Sequence, residues 1–202
     1  MTPSPEFSLV GNHPALDFTN TVGGWDGDRV REDRLRDYGD LLLWSRKAGL
    51  LPPADTRVLE RQATMGPEEA GRVLERARDL RSALYRTLTA VLSRQHPSSA
   101  DLARLNREVA RVRAAERLVP GRDAFAWKVE DAPSLDRPVQ LVAAAAARLL
   151  VEGPLARIHR CPGEHCGWLF LDTSRGGRRR WCDMATCGNL DKVRRFRRRV
   201  AD

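Results

Sequence analysis

The chain has 202 residues, 42% apolar and 31% charged, enough for one sizeable domain or a domain with a small appendage, and too polar for a membrane-embedded protein. Its formal charge of +8 is unevenly spread: residues 1–156 hold 23 Lys+Arg against 22 Asp+Glu, whereas 157–202 hold 12 against 5, together with all four cysteines. The longest apolar stretch, Leu141–Val151, is broken by Arg148 and falls well short of the roughly 20 residues a bilayer demands. Met1–Val10 also lacks the pattern of a secretory leader, so a cytoplasmic chain without a membrane partner is expected.

This composition step near Gly153-Pro154 predicts two units: a nearly neutral helical domain, 1–156, and a basic, cysteine-bearing module, 157–202. In chain order, short helices are expected for Pro14–Val22, for Tyr38–Ala48 (stopped by Gly49) and for Pro53–Met65. The first lies in a polar cluster of Asn12, His13, Asp17 and Asn20, with Trp25 nearby, which could line a small-molecule pocket. The alternative is that Asn12 or His13 caps the helix and Asp17 makes a local hydrogen bond. Val73, Ala77, Leu80, Leu84, Leu88 and Val91 recur at three-and-four spacing, a single stripe on a helix whose first turn can hold Pro67. After Pro97-Ser98-Ser99, Leu102, Leu105, Val109 and Val112 mark a second helix, antiparallel to the first. Arg117–Pro120 and Ala124–Val129, with Gly121 between them, suggest a short β-hairpin. Leu141–Val151 has almost no polar side and reads as a buried central helix, capped by Asp136 or Ser134 and ended by Gly153.

In the last quarter, Cys161, Cys166, Cys182 and Cys187 read C-x4-C-x15-C-x4-C, two close pairs able to gather four thiolates around one tetrahedral ion. A reducing compartment makes one structural Zn2+ the expectation over disulfides, an iron-sulfur cluster or four unrelated thiols, and His159 and His165, which could substitute for a ligand, read as bystanders to a shell that four cysteines complete. Trp168–Leu171 is a strand candidate, Arg175-Gly176-Gly177 a turn and Arg179–Trp181 its returning partner. Leu190, Val193, Phe196 (or Arg197) and Val200 then give a closing helix whose apolar stripe is expected to face inward. Knuckle, hairpin and helix make a treble-clef-like zinc finger, so the whole is mainly α with a small finger at its end. Lys192, Arg195 and Arg199 fall on one flank of the last helix and Arg194 and Arg198 on the other, while Arg178, Arg179 and Arg180 form a second basic patch. Four thiolates around a divalent ion sum to a charge of −2, so a basic surplus remains, and an anionic partner follows, double-stranded DNA first and RNA as a rival. RNA would be favoured by exposed Trp168 or Trp181 rings, which are instead expected to pack inside.

The residues Cys161-Pro162, Leu169-Phe170-Leu171-Asp172, Ser174–Cys182 and Cys187-Gly188-Asn189 resemble the CGNR zinc finger. Gly11-Asn12-His13-Pro14-Ala15-Leu16-Asp17-Phe18-Thr19-Asn20-Thr21 resembles the opening of the ABATE domain that precedes this finger in bacterial proteins described as stress-induced transcription regulators. The resemblance implies a four-cysteine zinc site and DNA binding by the finger, with Leu190 standing where the name-giving motif has Arg. The expectation is therefore a zinc-containing, DNA-binding regulator whose helical domain dimerises or senses a small-molecule effector, and not an enzyme. The rival is a small-molecule-binding protein whose finger is a structural staple or a protein-interaction module.

Overall fold

The computed structural model describes residues 6–129 and 133–201. It is a helical body joined to a small C-terminal metal module. Helix α1, Pro14–Thr19, starts where Ala15 N–H donates to the His13 ring and ends at Asn20. Burial, with Arg148 nearby, lowers the His13 pKa, which keeps Nδ1 an acceptor for this cap. Two-residue strands β1 (Trp25–Asp26) and β2 (Arg29–Val30) follow, then α2 (Tyr38–Lys47), with Asp37 accepting from Asp40 N–H at its start. Gly49, at φ +71°, takes the left-handed conformation that ends α2 where the sequence placed its stop. Helix α3 covers Pro53–Met65, as read from its proline start.

Helices α4 (Pro67–Leu92) and α5 (Ser99–Ala115) pack as the expected antiparallel pair. The stripe on α5 differs from the apolar reading, for Leu102 is exposed while Glu108 is buried. Glu108 sits there because Arg76 of α4 reaches it at 2.7 Å and also holds Asp136 at 2.5 Å, so an ion-pair network takes the place of an aliphatic contact. Strands β3 (Glu116–Pro120) and β4 (Phe125–Val129) form the expected antiparallel hairpin. Helix α6, Arg137–Glu152, begins a turn earlier than the apolar run because Pro138 fits its first turn; the Asp136 carboxylate is spent on Arg76 and gives no cap. Val139, Val142, Ala143, Ala146 and Leu149 face inward against α1, α2, α4 and α5, whereas Arg148, Val151 and Glu152 lie on an open outer face.

The metal module starts at β5 (Ile158–Arg160), which pairs antiparallel with β6 (Leu169–Leu171). This corrects the expected pairing of Trp168–Leu171 with Arg179–Trp181. The buried Asp172 carboxylate accepts from Ser174 and Arg179 N–H, curling residues 172–179 into a loop, so the returning strand cannot form. A π-helical turn over Met184–Gly188 leads into α7, Asn189–Ala201.

Module and body share one core. Leu16, Phe18, Trp44, Leu80 and Val142 belong to the same buried cluster as Leu169, Phe170, Trp181 and Cys182. The sequence division at 156/157 is thus a change in composition across a continuous interior.

Candidate metal centre and its basic surroundings

Cys161 and Cys166 occupy the loop between β5 and β6, and Cys182 and Cys187 the approach to α7. Their four Sγ atoms lie within 4.8 Å of one another, with Cys166–Cys182 at 3.6 Å and Cys182–Cys187 at 3.7 Å. A regular tetrahedron with Zn–S near 2.3 Å has edges of about 3.8 Å, so the sulfurs already stand where a zinc ion needs them, and too far apart for disulfides. Their acidity fits as well. Hydrogen bonds from Cys166 and Cys182 stabilise a thiolate at Cys161 and pull its pKa down to about 2, and those same bonds push Cys166 and Cys182 upward. Burial raises Cys187. Four thiolates this close repel one another, and a central divalent cation offsets that repulsion. Gly163 belongs to this geometry, since a Cβ there would come within 2.9 Å of Cys187 Sγ. With two cysteines buried and two half-buried, the shell is closed, that of a structural zinc.

The body grips the loop that carries the first cysteine pair. Trp25 N–H donates to the Cys166 carbonyl at 2.8 Å, the Tyr85 hydroxyl to the Gly167 carbonyl at 3.0 Å, and the Trp168 indole to the Val22 carbonyl at 3.1 Å. Gly24 makes this approach feasible, because a Cβ there would overlap the His165 carbonyl.

The outer edge of β6 is completed by the N-terminal polar cluster. Asn20, 2% exposed, donates from Nδ2 to the Leu169 carbonyl at 2.8 Å and accepts Leu169 N–H on Oδ1 at 3.0 Å, as a neighbouring strand would. Gly11 accepts from Leu171 N–H, and Asn12 donates to the Leu171 carbonyl. Asp17, buried beneath them, accepts Gly11 N–H at 2.7 Å, and burial raises its pKa to about 6. Trp25 stacks on Tyr85 at 3.8 Å and donates to the Thr19 carbonyl. Of the residues expected to line a small-molecule site, Asn12, His13, Asp17, Asn20 and Trp25, each has a polar atom that caps a helix or a strand edge or holds backbone, while Asn12 stays exposed and His13 half-buried.

The basic residues divide into three groups. Arg179, expected at the nucleic-acid surface, turns inward: it donates to the carbonyls of Val10 (2.7 Å), Trp181 (3.1 Å) and Cys182, and lies 4.4 Å over the Phe170 ring. Arg194 is paired with Glu164 and Arg195 with Asp191. Arg178, Arg180, Lys192, Arg197 and Arg198 are exposed and face no carboxylate among the described residues; Arg180 stacks on Trp181. The Arg199 side chain lies outside what is described. Arg197 was missed by the sequence reading, which left its position open to the apolar stripe.

That stripe is a second correction. Val193 is 39% and Phe196 68% exposed, as is most of Leu190, because the Arg194–Glu164 contact turns the other flank of α7 toward the module. The module interior is already filled by Trp168, Phe170 and Trp181. Both tryptophans are buried, as expected, and unavailable for stacking on bases.

Residues 12–153 match the family model ABATE, described as "Putative stress-induced transcription regulator", and residues 157–200 match the CGNR zinc finger. A search of curated proteins returned no match. Among the described residues no helix is long and apolar enough to cross a membrane.

Proposed function

The chain belongs to the ABATE family and ends in a CGNR zinc finger, and from that premise we propose that it binds double-stranded DNA through Arg178, Arg180, Lys192, Arg197 and Arg198. The observation that carries this reading is the concentration of exposed cations on the finger. In the body several arginines are held by carboxylates: Arg76 with Glu108 and Asp136, Arg81 with Asp33, Arg86 with Asp101, Arg104 with Asp79. On the finger Arg178, Arg180, Lys192, Arg197 and Arg198 are exposed without an ion pair among the described residues, held on a metal-fixed scaffold where Trp181, beneath Arg180, borders the first turn of α7. Planar guanidinium groups match phosphate oxygens and guanine edges. In this reading the zinc fixes geometry, the finger contacts phosphate, and no catalytic step is assigned.

The test is fluorescence anisotropy of a labelled duplex with the zinc-loaded, full-length protein over a salt series. Five neutralised phosphates give a log–log slope of about −4.5. Failure to bind any duplex at low salt, or a slope near zero, overturns the proposal. In vitro selection from random duplexes then identifies the preferred sequence.

A second reading, a small-molecule binder whose finger staples the C-terminus, is favoured by the shared core and by a cleft of about 630 Å³ between the metal loop and the N-terminal segments, bordered by Glu32, Arg34, Glu164 and Trp168. Substituting Arg178, Arg180 and Arg198 together by Ala separates the two. The regulator loses its duplex; the binder keeps its ligand.

A further inference from the structure

The β3–β4 hairpin is a two-stranded ribbon with no third strand among the described residues. Its register sets Leu118 opposite Trp127 and Pro120 opposite Phe125, so these side chains share one face. Leu118 is 56%, Phe125 68% and Trp127 63% exposed. An isolated ribbon of this size is marginal in water, and one that shows three large apolar side chains on a single face is short of a surface to bury them.

The apolar face continues onto the body. Trp127 forms a wall of an open cleft of about 400 Å³ whose floor is the outer side of α6, at Ala144, Ala147, Arg148, Val151 and Glu152. These positions follow a three-and-four spacing, so they form one stripe, with Val151 82% exposed.

The charges indicate what covers it. The positive excess sits in residues 157–202, where two copies of the chain repel one another. The cleft, however, carries Arg113 and Arg148 against Glu116 and Glu152 and has no net charge. Arg148 and Glu152 stand one helical turn apart on α6, the spacing at which an identical helix lying antiparallel places each Arg148 against the other copy's Glu152. A polyanion or an anionic lipid surface gains nothing from a neutral patch, whereas a surface complementary to itself suits a two-fold contact. The two aromatic rings offer on the order of 250 Å² per copy. With Leu118, Val151 and the cleft rim, a pair of such faces reaches the roughly 1,000 Å² in total expected of a solution interface.

We propose that two copies of this chain associate across a two-fold axis, with the outer stripes of their α6 helices antiparallel and each copy's Trp127 hairpin closing on the other copy's α5–α6 cleft. The association is independent of the DNA-binding reading and is expected without any duplex present.

Sedimentation of the zinc-loaded, full-length protein at concentrations up to about 100 µM tests it. A dimer is expected, and Trp127→Glu should weaken it about 30-fold or more while zinc content and helical circular dichroism stay unchanged. Glu152→Arg should weaken it about tenfold, and adding Arg148→Glu should restore it, a rescue that loss of folding cannot mimic. A wild-type monomer throughout the range overturns the proposal. So does a dimer indifferent to both Trp127→Glu and Glu152→Arg, or one dissociated by Phe196→Glu on α7 instead, which would assign the contact to that helix.

Discussion

Replacing Asn20 by Ala removes both hydrogen bonds from its carboxamide to Leu169 without touching a metal ligand. The pair is buried, so a Leu169 N–H and a carbonyl lone pair are left dry. At about 1–3 kcal/mol for each group stranded, the loss is on the order of 2–5 kcal/mol, a large part of the 5–15 kcal/mol that holds most domains folded. With a urea dependence of roughly 2–3 kcal/mol/M for a chain of this size, the midpoint falls by about 1–2 M. Asn20→Asp should cost at least as much, since an oxygen then faces the Leu169 carbonyl and a charge is buried. Asn12→Ala is the comparison, because Asn12 donates to the same strand from an exposed position and should cost under about 1 kcal/mol. Urea unfolding is followed by far-ultraviolet circular dichroism and tryptophan fluorescence at fixed free zinc. The two signals should move together. Equal, small effects of Asn20→Ala and Asn12→Ala, or a finger that unfolds separately from the body, would refute the idea that these asparagines complete the β6 edge.

Stripping zinc with a strong chelator should abolish near-ultraviolet circular dichroism from the body as well as the finger, at one ion released per chain; an apoprotein with an unchanged unfolding midpoint contradicts the shared core. For Asp17, burial raises the folded pKa to about 6 from an ordinary 3.8, so its contribution is full below about pH 4 and lost as pH rises through 6. Asp17→Asn, which keeps an acceptor for Gly11 N–H, should therefore gain about 1–3 kcal/mol on the wild type between pH 5 and 7.5, and a gap that stays constant across that range counts against it. Arg179→Ala should cost about 2–4 kcal/mol through its lost carbonyl and Phe170 contacts, whereas Arg178→Ala and Arg180→Ala should leave stability within about 0.5 kcal/mol and each reduce the DNA salt slope by about 0.9. Equal stability loss in all three variants would put Arg179 back on the surface.

Much of this architecture is written locally. Pro53 and Gly66 bracket α3, and the two cysteine pairs announce their cage, because caps and ligand spacing depend on near neighbours. What escaped depends on distant ones. Ile158–Arg160 is too short to signal a strand, and it pairs with β6 only because Asp172 draws Arg179 into a loop. Three consecutive arginines look alike until Val10, far along the chain, supplies a carbonyl for the middle one. Periodicity revealed the stripe on α7 but not its direction, which Glu164 decides. Asn12 and Asn20 read as pocket lining because nothing beside them in sequence shows that a strand edge, some 150 residues away, lies across from them.

The grip of Asn20, Tyr85 and Trp25 on the metal loop has a consequence for how such chains can be recombined. A gene fusion cut at the Gly153-Pro154 junction would carry off the cysteines and leave their mortar behind, so neither fragment inherits a finished wall. Grafting this terminal segment onto another sensor requires transplanting the opening motif with it, which ties the two ends of the polypeptide into a single heritable unit.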